Sequence, residues 1–393
     1  MDIPGESTTS HAYIDTERCI AELQRGRAIA LTASDAGASD TVEKHRIVQL
    51  VENMSEPDLA TLIAEHTCQL ILSRPRALAL GLMVDSNAVC FELNSQTSAT
   101  MVRSWAGLTP ASAEPGHVQT SSRPEGSGQS RDTVGSTLEQ RAPGTIPYAK
   151  AALNMARYAH ALPAFIMHEP RSIPANMLSV SVQSALEFSD RSGELIKLST
   201  AGVPLAAAKN VQLTVFRERH GFAEHVAITV GQPDFSKTVT VRIHSSCFTG
   251  DILGSMKCDC GEQLDRAISK MAEGDGGVVL YLSQEGRGIG LANKLLAYQL
   301  QDQGLDTIEA NQHLGFDADQ RCYQAALYIL QQLGINSVRL MTNNPLKIDA
   351  LRQQGVHVEE RLPSPATENV HNARYLQTKR ERAGHLTSCD NAG

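Results

Sequence analysis

Three cysteines, Cys247, Cys258 and Cys260, form a C-x10-C-x-C cluster, while the other five (Cys19, Cys68, Cys90, Cys322 and Cys389) are scattered. Thiolates are soft ligands that suit zinc. Structural zinc sites are usually closed by four protein ligands, whereas catalytic zinc keeps one position open for water. Three ligands with no fourth cysteine nearby therefore point to chemistry rather than scaffolding. Eight cysteines in so long a chain do not make a disulfide framework, and in a reducing compartment a tight cluster reads as metal-binding. The scattered five read as small apolar residues.

Four further motifs accompany the cysteines. Arg242-Ile-His-Ser-Ser leads directly into Cys247. Gln284-Glu-Gly-Arg-Gly-Ile-Gly-Leu follows an apolar run, where glycines let backbone N–H groups approach an anion and Arg287 adds a bidentate donor. Asn311-Gln-His-Leu-Gly-Phe-Asp-Ala-Asp-Gln-Arg places Asp319 and Arg321 at an expected helix start. Met341-Thr-Asn-Asn-Pro-Leu-Lys puts Thr342 and Lys347 at another strand-to-helix junction. Each motif alone also reads as ordinary turn, cap or surface chemistry. Together they set metal ligands, phosphate-type loops and basic side chains at successive strand ends, where α/β sheets gather ligands. A zinc ion beside a phosphate pocket suggests metal-activated water acting on a nucleotide.

The positioning elements follow from periodicity. Strands are expected at 28–32, 68–72, 88–92, 164–167, 211–217, 224–230, 238–244, 277–282, 337–342 and 356–360. Helices are expected at 14–24, 51–64, 148–162, 262–273, 290–303, 319–333 and 347–354. The stretch 109–146 is rich in Pro, Gly, Ser and Thr and is expected to be a mobile loop. The fold class is α/β (α+β) in two domains, 1–202 and 203–393. The net charge of −8 over 393 residues argues against nucleic acid as a partner. No apolar run approaches the ~20 residues that span a bilayer, and the N-terminus lacks a signal pattern, so no membrane partner and a cytoplasmic location are expected.

The motifs R-I-H-S-S-C-F-T-G-D, K-C-D-C-G, Q-E-G-R-G-I-G-L, A-Y-Q-L-Q-D-Q-G, N-Q-H-L-G-F-D-A-D-Q-R and T-N-N-P-L-K stand in the order and spacing of GTP cyclohydrolase II, and 203–386 resembles that family. The resemblance implies that Cys247, Cys258 and Cys260 hold one Zn²⁺ per chain, whose bound water attacks C8 of the guanine of GTP. It implies ring opening, loss of C8 as formate, and loss of pyrophosphate assisted by Mg²⁺. The product implied is 2,5-diamino-6-(5-phosphoribosylamino)-pyrimidin-4(3H)-one, from which riboflavin is built. Asp319, Arg321 and Tyr298 match catalytic positions. Arg321 is either the group that attacks the α-phosphate or an electrostatic stabiliser, the latter because guanidinium stays protonated. Arg242, Ile243, His244, Ser245, Ser246, Gln263, Glu285, Gly286, Arg287, Thr307, Thr342 and Lys347 match substrate-binding positions. The family also implies a homodimer. Ser246 departs from the Glu common in the family before the first cysteine, which leaves open a non-catalytic, GTP-binding regulatory homologue.

The N-terminal part resembles a degenerate 3,4-dihydroxy-2-butanone 4-phosphate synthase, on Cys19-Ile-Ala-Glu-Leu-Gln-Arg-Gly-Arg, Glu65-His-Thr-Cys and the stretch from Ala156 to Glu169. That family's acidic loop is replaced by Thr32-Ala-Ser-Asp-Ala-Gly-Ala-Ser-Asp, and its metal-binding histidine by Tyr148. Glu169 alone cannot rebuild a magnesium site. This domain is therefore expected to be catalytically dead, which argues against a bifunctional riboflavin enzyme.

Overall fold

The computed structural model describes residues 8–34, 43–94, 96–108, 143–191, 194–219, 223–317, 319–382 and 384–386. Most of the expected loop 109–146, and Cys389, lie outside them. The chain forms two compact units. The first is Met1–Arg191 with Ala292–Asp319, and the second is Ser192–Leu291 with Gln320–Gly393.

The first unit is built on a six-stranded sheet in the order β4-β3-β5-β2-β1-β6. Its strands are β1 (Ile29–Ser34), β2 (Glu43–Leu50), β3 (Cys68–Ser73), β4 (Ala88–Glu92), β5 (Ala164–His168) and β6 (Ser179–Ser181). Helices α1 (Thr8–Gln24), α2 (Glu56–Glu65), α3 (Arg74–Ala79), α4 (Ala99–Trp105), α5 (Ile146–Ala159) and α6 (Val182–Arg191) cover it. Successive strand residues point to opposite faces. Ile71, Phe165 and Met167 accordingly pack with residues of α1, α5 and α6. Leu70, Leu72 and Ile166 pack with residues of α2, α3 and α4 on the other side. A sheet buried on both faces explains why β3 is apolar without alternation. The alanines of α5 (Ala149, Ala151, Ala152 and Ala156) are fully buried.

The single helix expected at 51–64 is two pieces. Met54 is extended, and Ser55 starts a new helix by accepting the Asp58 N–H on its hydroxyl, with Pro57 in the first turn.

The second unit has a seven-stranded sheet in the order β13-β12-β10-β11-β9-β8-β7. An antiparallel meander, β7 (Leu195–Gly202), β8 (Val211–Glu218) and β9 (Glu224–Val230), joins β11 (Gly277–Leu282). From there β11, β10 (Val239–Ser245), β12 (Ser337–Met341) and β13 (His357–Leu362) run parallel. Helix α7 (Cys260–Glu273) buries Ala267, Ile268 and Met271 on one face of this sheet.

The chain continues through α8 (Gly290–Asp302) and α9 (Thr307–His313), and residues 292–319 of this stretch fold with the first unit. It then returns to the second unit, where α10 (Gln324–Gln332) and α11 (Pro345–Gln353) pack on the other sheet face and α12 (Ala373–Glu381) follows β13. The helix expected at 319–333 begins only at Gln324. Asp319, Gln320 and Arg321 are non-helical, and Tyr323 stands at the cap with no capping bond from its side chain.

Candidate metal centre and nucleotide site

In the second unit, β10, β11 and β12 end side by side, and the loops leaving their C-terminal ends carry most of the candidate residues. Cys247 follows β10, Cys258 lies in the turn before α7, and Cys260 is the first residue of that helix. Their three sulfurs lie within 4.8 Å of one another, and Cys247 Sγ is 3.7 Å from Cys258 Sγ. Two ligands on a tetrahedral zinc with Zn–S bonds of about 2.3 Å stand about 3.8 Å apart, so this spacing fits the ion. Backbone fit is as tight. A Cβ on Gly250 would stand 2.8 Å from Cys258 Sγ and 3.0 Å from Cys247 Sγ, so only glycine suits the turn that wraps the sulfurs. Mutual hydrogen bonding of the thiols, then burial, pushes the Cys260 thiol up. A dication held at the centre would reverse that preference, because a coordinated thiol is deprotonated.

A buried hydrogen-bond chain backs this cluster. Asp251 accepts the Cys247 N–H at 2.9 Å, the Tyr281 hydroxyl at 3.0 Å and His244 Nε2–H at 3.1 Å. Burial holds His244 below the usual histidine range, against the pull of Asp251. The neutral ring has one donor and one acceptor nitrogen. Nε2 donates to Asp251, and Nδ1 accepts from Arg242 Nε at 3.3 Å. Arg242 also donates to Ser364 Oγ at 3.0 Å and to Gln263 Oε1 at 2.7 Å. Gln263 Nε2 donates to Asp259 at 2.6 Å, and Asp259 receives Lys379 Nζ from α12 at 2.7 Å. Burial disfavours the Asp259 carboxylate, yet Lys379 beside it holds its pKa below the usual range.

The strand-end loops add anion-binding geometry. Gly286 and Arg287 both adopt φ of +62°, which turns this backbone sharply before α8. Glu285 reaches back to accept the Phe248 N–H at 2.6 Å, fixing the residue after Cys247. Ser246 Oγ accepts the Gln284 N–H at 3.2 Å, so the serine in place of the family glutamate ties the first loop to the second. Ser245 Oγ is buried with no hydrogen-bond partner among the described residues. Lys347 Nζ donates to the Ile243 carbonyl at 2.7 Å, and Thr342 Oγ1 accepts the Asn344 N–H at 3.0 Å. His385 registers the charge of this region. Burial, then Lys379, Arg287, Arg321 and Lys347, push it down to about 3.

The structure thus brings Arg242, Ile243, His244, Gln263, Lys347 and the three cysteines into one network, with Ser246, Glu285 and Arg287 in the adjoining loops. Tyr298, Thr307 and Asp319 belong instead to the first unit. Tyr298 lies on α8 with Lys294 Nζ 5.6 Å from its ring centre. Thr307 opens α9, where Asp306 and Glu309 form a reciprocal capping box. Asp251, Asp259, Tyr281, Lys379 and His385 escaped the sequence reading. The first two lie inside motifs recognised there, Tyr281 stands three residues before Gln284, and Lys379 and His385 lie in the C-terminal end of the stretch that resembles the family.

The GTP cyclohydrolase II family model matches residues 197–363. GTP cyclohydrolase-2 of Azospirillum brasilense is 37% identical over 405 aligned positions, which cover 98% of this chain and 99% of that one. The chain belongs to the GTP cyclohydrolase II family. That family comprises hydrolases acting on GTP in riboflavin biosynthesis. GTP cyclohydrolase-2 of Neisseria meningitidis serogroup A is 53% identical over 171 residues, 44% of this chain and 87% of that one. Among solved structures, a two-domain 3,4-dihydroxy-2-butanone 4-phosphate synthase from A. baumannii matches at 17% identity over 90% of this chain and 99% of that one. Its TM-score is 0.28, too low to bear on the fold. No described helix is long and apolar enough to cross a membrane.

Proposed function

We propose that this chain is a zinc-dependent GTP cyclohydrolase II, converting GTP and water to the diaminopyrimidine, formate and pyrophosphate. The observation that carries this reading is the trio of sulfurs at zinc spacing, joined through Asp251 and His244 to Arg242 and Gln263, in a chain that matches a GTP cyclohydrolase-2 from end to end. Cys247, Cys258 and Cys260 would hold the zinc, which when bound supplies a Lewis acid and a water of lowered pKa.

The chain's own groups do the rest. Arg242, His244, Ser245, Ser246 and Gln263 orient the guanine and ribose end, and Thr342 and Lys347 help hold the nucleotide. Arg287, Arg321 and Lys347 gather the triphosphate with its Mg²⁺. Arg321 acts as an electrostatic stabiliser of phosphate charge, since a guanidinium is a poor nucleophile. Asp319 accepts a proton, Tyr298 serves the ring-opening centre, and Glu285, Gly286 and Thr307 complete substrate binding. We further propose a homodimer, on the family resemblance, and action in the cytoplasm, where thiols stay reduced.

The first unit is proposed to be catalytically silent as a synthase. Arg46 holds Glu169 in an ion pair at 3.0 Å, and Tyr148 donates its hydroxyl to the Lys44 carbonyl at 3.1 Å. Of the replaced acidic loop, residues 35–40 lie outside the described residues.

Purified, zinc-loaded protein given GTP and Mg²⁺ should release formate and pyrophosphate in equal amounts. Pyrophosphate without formate would deny the zinc role, and release of neither would favour the regulatory homologue suggested by Ser246. Ribulose 5-phosphate should be left unchanged.

A further inference from the structure

The three cysteines come to the metal centre from two separate pieces of the second unit. Cys247 follows β10, whereas Cys258 and Cys260 belong to the turn into α7. Backbone contact sets part of their register, since a Cβ on Gly261 would overlap the Gly250 carbonyl. Two buried carboxylates set the rest. Asp251 holds the first piece: it accepts the Cys247 N–H at 2.9 Å, and its own N–H donates to the Cys247 carbonyl at 2.7 Å. It is tied to the sheet by His244 and Tyr281, paired neighbours on β10 and β11 whose ring centres lie 5.5 Å apart. Asp259 holds the second piece from between Cys258 and Cys260, accepting Gln263 Nε2–H at 2.6 Å and Lys379 Nζ at 2.7 Å.

An unbroken course of hydrogen bonds joins the two carboxylates, from Asp251 through His244, Arg242 and Gln263 to Asp259. Its polarity is fixed by its members, because a carboxylate only accepts and a guanidinium only donates. His244 therefore gives Nε2–H to Asp251 and keeps Nδ1 as the acceptor for Arg242. Gln263 turns its carbonyl to Arg242 and its NH2 to Asp259. The three central residues all match substrate-binding positions, whereas neither carboxylate matches a catalytic, substrate or metal position. Asn at 251 would keep one acceptor oxygen. Its NH2 would face His244 Nε2–H in one orientation and the Cys247 N–H in the other.

We infer that Asp251 and Asp259 are positioning residues that lock the three sulfurs to His244, Arg242 and Gln263, so that metal retention and nucleotide binding are set by one buried course of hydrogen bonds. This inference rests on the proposed function above. It extends that function to two residues whose loss should act on both ligands at once.

The test uses the full-length protein and the variants Asp251→Asn, Asp259→Asn and Tyr281→Phe. Metal affinity is read from cobalt–thiolate absorption in competition with a chelator, and GTP affinity by calorimetry at saturating zinc. Each Asn variant should bind cobalt at least about tenfold more weakly, the scale for partners of metal-holding groups. With zinc restored by saturation, each should still bind GTP at least about fivefold more weakly, the scale of one hydrogen bond. Tyr281→Phe removes one of the donors to Asp251 and should weaken cobalt binding by a smaller factor. Cobalt affinity within about twofold of wild type in the Asn variants would overturn the inference. So would weakened cobalt binding with GTP affinity unchanged at saturating zinc, and so would a lowered urea midpoint with both affinities intact. If neither Asn variant folds, Tyr281→Phe decides: a weakened cobalt affinity supports the inference and an unchanged one overturns it. Wild type that takes up one cobalt per chain yet binds no GTP would overturn the function reading alone, and the cobalt affinities of the variants then decide the inference. Wild type without a cobalt–thiolate band would overturn both.

Discussion

At the scale of single residues, the cysteine cluster was legible because its ligands lie within fourteen positions of one another in the sequence. Local spacing constrains local geometry, and a thiolate trio has few uses. Cys258→Ser should therefore release the metal and abolish formate production. Retained ring opening in protein shown by metal analysis to be zinc-free would contradict the role. Residue types read less well where their partners are remote. Arg242 and His244, which the resemblance matches to substrate-binding positions, are both buried, and Arg242 Nε donates to His244 Nδ1. Asp259 sits between two recognised cysteines, but its meaning comes from Lys379, 120 positions away, which no spacing rule reaches.

At the scale of elements, apolar runs and alternation gave Ala88–Glu92, Glu224–Val230 and Gly277–Leu282 with the same bounds in sequence and structure. Among the elements missed, three show the physical reason. The strand Glu43–Leu50 begins with a charged, helix-like Glu-Lys-His-Arg. The helix Thr307–His313 is only two turns long, although its Asp306-Thr-Ile-Glu309 capping box was a usable signal. The helix Ala373–Glu381 is strongly polar and buries only Leu376 and Thr378. This last helix matters because it delivers Lys379 to Asp259, with side chains 13% and 2% exposed. Removing one partner of a buried ion pair strands the other charge. Lys379→Met should cost ~3 kcal/mol in urea unfolding, and it should weaken metal binding by loosening the turn between Cys258 and Cys260. Wild-type stability in that variant would reduce the pair to a passive contact.

At the scale of the whole molecule, stability should depend on pH through histidines that stay neutral when folded. His385 is held at about 3 in the second unit, by burial and then by its four cations. His168 in the first unit is lowered by burial and then by charge repulsion from His66, whose ring centre lies 4.5 Å away. Below a pH of about 6.5 the unfolded chain takes up protons that these folded groups refuse. Their stabilisation is therefore complete above that pH and is lost as pH falls towards their folded values. The urea midpoint should drop between pH 7.5 and 5, and His385→Gln should flatten the drop. A midpoint that holds or rises on acidification would contradict the assignment.

The return of residues 292–319 to the first unit also sets a timetable for biosynthesis. A ribosome that has finished residue 191 must make about a hundred more before the missing piece emerges, roughly 5–20 s at ordinary rates of 5–20 residues per second. For that interval the first unit exists without α9. The nascent chain is then a natural client for chaperones, and its N-terminal half completes itself only after much of the later sheet has been translated.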